Sequence, residues 1–347
     1  MATYVGHQKC AECHSDIVET HLNSPHANTF ATTKESEVAQ RLCRKQIELD
    51  EVYGTYHYQC DEAGVTVSIP EKFGGKLFPL DYALGSGKHA TTLITLMLDA
   101  QQETINVEHR LTWYAEDETW DITPGQENDF PTQPGDYFGH TFRQPNVDRC
   151  IGCHTTTVDV VGRKLENLYA NVQCEACHGP GSLHVAAAER GDEDLHLFLK
   201  SRWSAEAQIK MCGECHRNPD SIEPDRLKRY PNSLVRFQPV GLLQSPCFLK
   251  SNGALSCTTC HDSHTGIESR SHEQQIQTCL SCHQDANQVH CPVSPAGNCI
   301  ECHMPAIDLV KGLQFHDHWI RVRRDQYDSP TEARPQPSKS IGGEDDD

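Results

Sequence analysis

The sequence predicts a mainly α-helical chain with long loops, organised around stacked prosthetic groups. A small β-element is inserted between the first and second copies of a repeated cysteine motif. Three observations carry this prediction. The 347 residues are only 37% apolar with Cys included and 7% aromatic, and mean hydropathy is −0.60, so a large aliphatic core is hard to assemble. Cys and His are instead abundant, at 18 and 21. Finally, the cysteines recur at one fixed spacing, separated by uneven gaps: about 136 residues between the first two copies, against roughly 45 residues for the last three together.

The repeat is Cys-x-x-Cys-His. It occurs at Cys10, Cys13, His14; Cys150, Cys153, His154; Cys174, Cys177, His178; and Cys212, Cys215, His216. It returns at Cys257, Cys260, His261; Cys279, Cys282, His283; and Cys299, Cys302, His303. Chance at this composition would supply about 0.06 copies of this haem-attachment pattern, not seven. Two thiols three residues apart can form thioethers with the two vinyl groups on one edge of a haem, and the next residue sets an imidazole beneath the iron. Zinc uses Cys-x-x-Cys pairs too, but needs two half-sites or a His several residues further on. A disulfide oxidoreductase needs one such pair in a βαβ setting. The reading is therefore seven covalently attached haems c with iron, about one per 50 residues. Porphyrin faces then supply the buried apolar surface that the side chains lack.

Fourteen histidines lie outside the motifs. A second His on an iron makes a six-coordinate haem suited to electron transfer, whereas an open position admits small molecules. His264 follows His261 by three residues, too close to cap its own iron but well placed for a neighbouring one. His184 follows His178 by six, after a Pro180-Gly181 turn that precedes a new helix.

These segments resemble multihaem cytochromes c, a family that includes the tetrahaem electron acceptor of hydroxylamine oxidoreductase and the octahaem hydroxylamine and tetrathionate enzymes. The likeness covers the chain to about Arg324. It rests on Tyr4-Val-Gly before the first motif, Ser24-Pro-His26-Ala, Gly85-Ser-Gly-Lys-His89-Ala and Val172 to His184 with its His-Gly-Pro-Gly. Cys257 to His264, Cys299 to Pro305 with its Cys-His-Met-Pro, and Asp317-His318-Trp-Ile-Arg321 complete it. The resemblance implies distal iron ligands at His26, His89, His184, His264, His290 and His318. The seventh is left open among His21, His140, His316, His7 and His57, or absent. No Cys-x-x-Cys-Lys variant occurs, unlike octahaem nitrite reductases.

Along the chain, residues 1–46 read as a helical segment bearing one haem. Residues 47–123 read as the β-element: Val52 to Tyr58 alternates before the Asp61–Gly64 turn, and Val65 to Ile69 follows. Thr91 to Leu98, Thr104 to Tyr114 and Trp120 to Ile122 extend it, and the period-2 run makes His109 a sheet-face residue rather than a ligand. Pro, Gly and Asp make 124–149 a loop. Residues 150–324 carry six haems on helices and loops, with Leu183 to Glu189 and Ala205 to Met211 the clearest helices. Residues 325–347 read as a mobile acidic tail. The remaining Cys43, Cys60, Cys247 and Cys291 suggest disulfides Cys43–Cys60 and Cys247–Cys291, with free thiols as the alternative.

No apolar run approaches the ~18 residues of a membrane span, so the chain is not expected to be transmembrane. The net charge of −19 argues against nucleic acid and for redox partner proteins with a basic docking patch. Haem attachment to this motif in bacteria takes place outside the cytoplasmic membrane, so a periplasmic or extracellular location is expected. The first residues show no export signal, which implies a removed leader or a start elsewhere. Two functions follow. One is an electron carrier along mostly bis-His haems, possible as a homo-oligomer or filament. The other is an oxidoreductase of small nitrogen or sulfur species with one five-coordinate haem. The first is favoured because no local signature of a catalytic haem stands out.

Overall fold

The computed structural model of the protein describes residues 1–196, 204–225, 232–283, 291, 297–310 and 313–323. The chain opens with a helix, His7–Leu22, that begins after Gly6 (φ 79°) and breaks its regular geometry at His14 (φ −122°, ψ 40°). The first motif therefore ends at a kink.

β1 (Phe30–Thr32) leads into the β-element. There β2 (Gln46–Glu48), β3 (Thr55–Asp61), β4 (Gly64–Ser68) and β5 (Phe78–Leu80) form a four-stranded antiparallel sheet in that order. β6 (Tyr82–Leu84), β7 (Ala90–Leu98), β8 (Thr104–Tyr114) and β10 (Gly139–Arg143) extend β1 into a second sheet, and β9 (Thr119–Ile122) pairs with β8. Alternation decides which residues face inward. Tyr56 and Tyr58 of β3 and Val65 and Val67 of β4 are buried with Leu80, Leu93, Val107, Leu111 and Trp113 in one core between the sheets. The β3–β4 turn needs Gly64 at φ 130°, where a Cβ would meet the Thr33 hydroxyl at 2.5 Å. A disulfide joins Cys43 to Cys60 and ties the approach to β2 to strand β3.

A second cluster positions a motif. Phe30, Leu84, Ile94 and Leu96 pack against Val147 and Ile151 of the helix Asn146–Gly152, which carries Cys150. The second motif is thus docked on the β-element by apolar contact, although about 136 residues separate it from the first.

Four expectations change. The chain is not mainly helical: helices and antiparallel sheets share it. The stretch 124–149 is not all loop, since β10 pairs with β8 there, Gly139 opposite His109. The haem-bearing region also holds two hairpins, β11 (Thr155–Val161) with β12 (Lys164–Ala170) and β13 (Ala306–Val310) with β14 (Leu313–His316). The first arises from a Thr/Val run closed by a turn with Gly162 at φ 60°, a local β-signal overshadowed by the motifs on either side. The expected Cys247–Cys291 bridge is not formed. Cys247 is a free thiol in the helix Pro246–Lys250, and its sulfur neighbours include Cys260, Cys279 and Cys282 of the motifs. Among the described residues no helix is long and apolar enough to cross a membrane. The expected tail lies outside the described residues.

Candidate haem centres

Every motif sits on a short helix: within His7–Leu22, at the end of Asn146–Gly152, and on Cys174–His178, Ala205–His216, Cys257–Cys260, His272–His283 and Cys299–His303. Residues three apart share one helix face, so each pair of sulfurs points one way. Four of these helices stop at the motif His, and after His178 and His216 the chain leaves through Gly179 (φ 73°) and Arg217 (φ 70°).

The imidazoles then meet in pairs drawn from distant parts of the chain. His14 faces His184 with ring centres 6.3 Å apart, and His26 faces His216 at 6.2 Å. His178 faces His264 at 6.4 Å, and His261 faces His318 at 6.1 Å. Two metal–nitrogen bonds of about 2.0 Å, plus about 1.1 Å from each nitrogen to its ring centre, give roughly 6.2 Å. The four spacings match two imidazoles on opposite sides of one iron, so the residues fit haem. Each pair joins a motif His to one of the distal candidates, and none joins a motif to the His that follows it within its own segment.

Ring orientation is fixed from behind. Nδ1 of His154 donates to the Thr29 carbonyl at 3.0 Å, Nδ1 of His184 to Leu195 O at 2.8 Å, and Nδ1 of His303 to Arg321 O at 2.9 Å. Nδ1 of His318 donates to His316 O at 2.9 Å. Carbonyls only accept, so Nδ1 is the donor in each, and in the neutral ring Nε2 is the nitrogen left for a metal. Burial lowers the basicity of His26, His154, His216, His261 and His318, the last to about 4. These rings therefore stay neutral, the form that ligates.

Other candidates are placed differently. His89 is exposed beside the Lys88–Glu268 ion pair, and among the described residues no motif imidazole faces it at ligand-pair spacing. His290 lies outside the described residues. His21 turns Nε2 to Val172 O at 2.9 Å and Nδ1 toward Ser24 Oγ at 3.5 Å. His7 bonds Gln173 Oε1 at 3.0 Å, His140 bonds Asp129 Oδ2 at 3.1 Å, and His316 bonds Met304 O at 2.7 Å, all through Nδ1. His57 stands in β3 opposite Gln46 and Ser68. His109 is fully buried, with Nε2 on the Tyr58 hydroxyl and Nδ1 on Phe138 O, each at 2.8 Å, and is a core residue. Among the described residues, His154, His283 and His303 face no second imidazole at the ligand-pair spacing.

The motif sulfurs show which motifs adjoin. Sulfurs of different motifs adjoin at Cys10 and Cys174, Cys153 and Cys215, and Cys212 and Cys257. Cys177 neighbours Cys212, Cys260 neighbours Cys282, and Cys279 neighbours Cys299. Among the described residues no three His, Cys, Asp or Glu side chains gather as a free metal ion would require.

Several positioning residues were not evident from the sequence. Arg270 donates to Cys260 O at 2.5 Å and to Thr278 Oγ1 at 2.9 Å, strapping the fifth motif to the helix of the sixth. Gly241 admits the backbone of His318, since a Cβ there would lie 2.7 Å from the His318 carbonyl carbon. Glu175, inside the third motif, is buried and accepts from the backbone N–H groups of Val5, Gly6 and Gly181. Its one sequence signal is position: it follows the first Cys directly, whereas the acidic residues of the other motifs precede the second.

Comparison with known proteins follows the same division. Residues 9–76 and 138–179 match the family described as cytochrome c554 and c-prime. Those segments hold the first three motifs and omit most of the second sheet. A multiheme cytochrome MtrA of Shewanella baltica (strain OS185) is 24% identical over 181 residues, 47% of this chain. The chain spans about half the length of that curated relative, 53%. Among solved structures, the outer cell wall cytochrome OcwA superposes with a TM-score of 0.53 at 14% identity, over 92% of this chain and 79% of that one. The likeness to OcwA is one of fold.

Proposed function

Starting from a multihaem cytochrome c with covalently bound haem, we propose that this chain conducts electrons along seven haems c, most of them bis-His. The observation that carries the proposal is the set of four crosswise histidine pairs at 6.1–6.4 Å. The haem supplies a reversible one-electron couple at its iron. Two imidazoles per iron keep coordination unchanged between the two redox states, so little has to move on transfer. The protein's part is to hold the rings, keep them neutral and exclude water.

The sulfur neighbours support an order for the wire: first motif beside third, third beside fourth, then fifth, sixth and seventh, with the second branching from the fourth. A path with two ends and a branch suits relay between separate partners. The finer likeness to the hydroxylamine and tetrathionate systems, a periplasmic or extracellular location, a basic patch on the redox partner and assembly into a filament belong to this reading. The outer-cell-wall cytochrome among its fold neighbours is in keeping with that location.

The His154 site favours a second reading. Its ring is oriented by Thr29 through Nδ1, and among the described residues no imidazole faces it at ligand-pair spacing. An open iron there would bind a small nitrogen or sulfur species and draw electrons from the other six. Low-temperature EPR of the oxidised holoprotein, with NO added to the reduced form, separates the two. Low-spin signals alone and no NO adduct are the result expected of a pure conductor. One haem equivalent of high-spin iron that binds NO replaces that reading with the enzyme. Protein mass and haem content give the count of seven independently.

A further inference from the structure

We infer that Glu175 is a positioning residue that sets the spacing of the His14–His184 pair by holding the starts of both helices that carry those rings. The inference rests on the haem reading above for its consequence, and on the protein's own hydrogen bonds for its geometry.

Glu175 lies between Cys174 and Cys177 and is only 4% exposed. Its carboxylate accepts from Val5 N at 2.9 and 3.1 Å, from Gly6 N at 2.8 Å and from Gly181 N at 2.7 Å. Gly6 is the residue that caps the helix His7–Leu22, which carries His14. Gly181 caps the helix Ser182–Arg190, which carries His184. One carboxylate thus bridges two helix N-termini, where unpaired N–H groups and the helix dipole favour negative charge. Both carboxyl oxygens act as acceptors here: Oε1 for Val5 and Gly181, Oε2 for Val5 and Gly6.

The surroundings admit little else. A Cβ on Gly181 would lie 3.1 Å from Val5 Cγ2 and 3.2 Å from Glu175 Oε1, and Gly6 sits at φ 79°. The flanks close the same joint: Thr3 N donates to Ser182 Oγ at 2.8 Å, Ser182 N to Thr3 O at 3.1 Å, and Tyr4 rests on Tyr169 with ring centres 5.8 Å apart. Cys10 meets Cys174 at the far side. Releasing the carboxylate would free both helices to rotate, and the two rings would lose their opposed placement.

The test uses the purified holoprotein, with Glu175→Gln and Glu175→Ala compared with Ser182→Ala, which removes a flanking bond only. Haem content and EPR of the unaltered protein first establish whether the haem reading holds. Hydrogen exchange at Val5 and Gly6 then reads the clasp with no reference to haem. Loss of the charged acceptor should speed exchange there by about tenfold or more. In both Glu175 variants one haem equivalent should pass from low-spin to high-spin, with haem content unchanged and Ser182→Ala unaffected. Low-spin signals retained in full in both variants, or unchanged protection of Val5 and Gly6, would overturn the inference. Glu175→Gln keeps the side chain's shape, so it decides the matter should Glu175→Ala not fold.

Discussion

At the scale of single residues, the protein uses histidine in two opposite ways. His264 and His318 stand opposite a motif imidazole, whereas His109 spends both nitrogens on the protein. Replacing His264 with Ala should convert one haem equivalent to high-spin without loss of haem, because the thioethers and His178 remain; EPR and the absorbance near the Soret band check it. His109 makes a different prediction. Burial lowers its pKa from 6.5 to about 4, so it folds neutral. Its contribution is complete above pH 6.5 and is lost as the pH falls from there through 4, by at most about 3 kcal/mol. His109→Phe should be less stable at pH 7 by about 2 kcal/mol, since the Tyr58 hydroxyl and the Phe138 carbonyl lose their partner. Its stability should also fall less steeply between pH 6.5 and 4. Denaturant melts followed by far-ultraviolet circular dichroism across that range would show both effects, and parallel slopes would refute the assignment.

At the scale of elements, the close approaches matter most. The helix Gln238–Gln244 meets the segment bearing His318 at Gly241, and Ser245 Oγ donates to His318 O at 2.9 Å while accepting from Ile320 N at 2.8 Å. Gly241→Ala should push that segment off the helix, costing about 1–3 kcal/mol as overpacking does, and should disturb the His261–His318 pair. A thermal melt and the low-spin EPR signal test these together; a lower melting point with an unchanged spectrum would mean that the contact supports the fold but not the ligand. The β-element is legible for simpler reasons. The alternation of Tyr56 and Tyr58 with polar neighbours, and the Asp61–Gly64 turn, are local signals that coincide with burial. β10 and the β11–β12 hairpin are not legible locally, because the partner of β10 is distant and the pattern of the hairpin is short; only pairing with β8 turns Gly139 to Arg143 into a strand.

For the whole molecule, charge and connectivity set behaviour. A net charge of −19 should draw basic redox proteins. The rate of reduction by a basic cytochrome should therefore fall by about an order of magnitude as the Debye length shrinks from roughly 30 Å to 8 Å. Stopped-flow rates that ignore ionic strength would show that docking does not use this charge. The apolar residues are also unevenly shared. The β-element has a core of its own, whereas beyond the third motif the described residues add one small cluster, Ile222, Leu234, Phe237 and Val240. Haem faces are what would complete that half, so removal of haem should unfold it while the β-element persists.

Sequence alone determined the chemistry that is local in the chain: two sulfurs three residues apart and the imidazole after them, seven times over, and the strands that alternate within a few residues. Tertiary structure decided everything that depends on pairs far apart in the chain. It set which imidazole faces His14, placed His26 opposite His216 and left Cys247 among motif sulfurs rather than on Cys291. It also gave Glu175 its grip on two helix starts. The physical reason is range. A thioether site needs the geometry of one helical turn, which a pentapeptide encodes, but a second axial ligand needs two segments docked to within ångströms, and that is settled by packing between segments up to 190 residues apart.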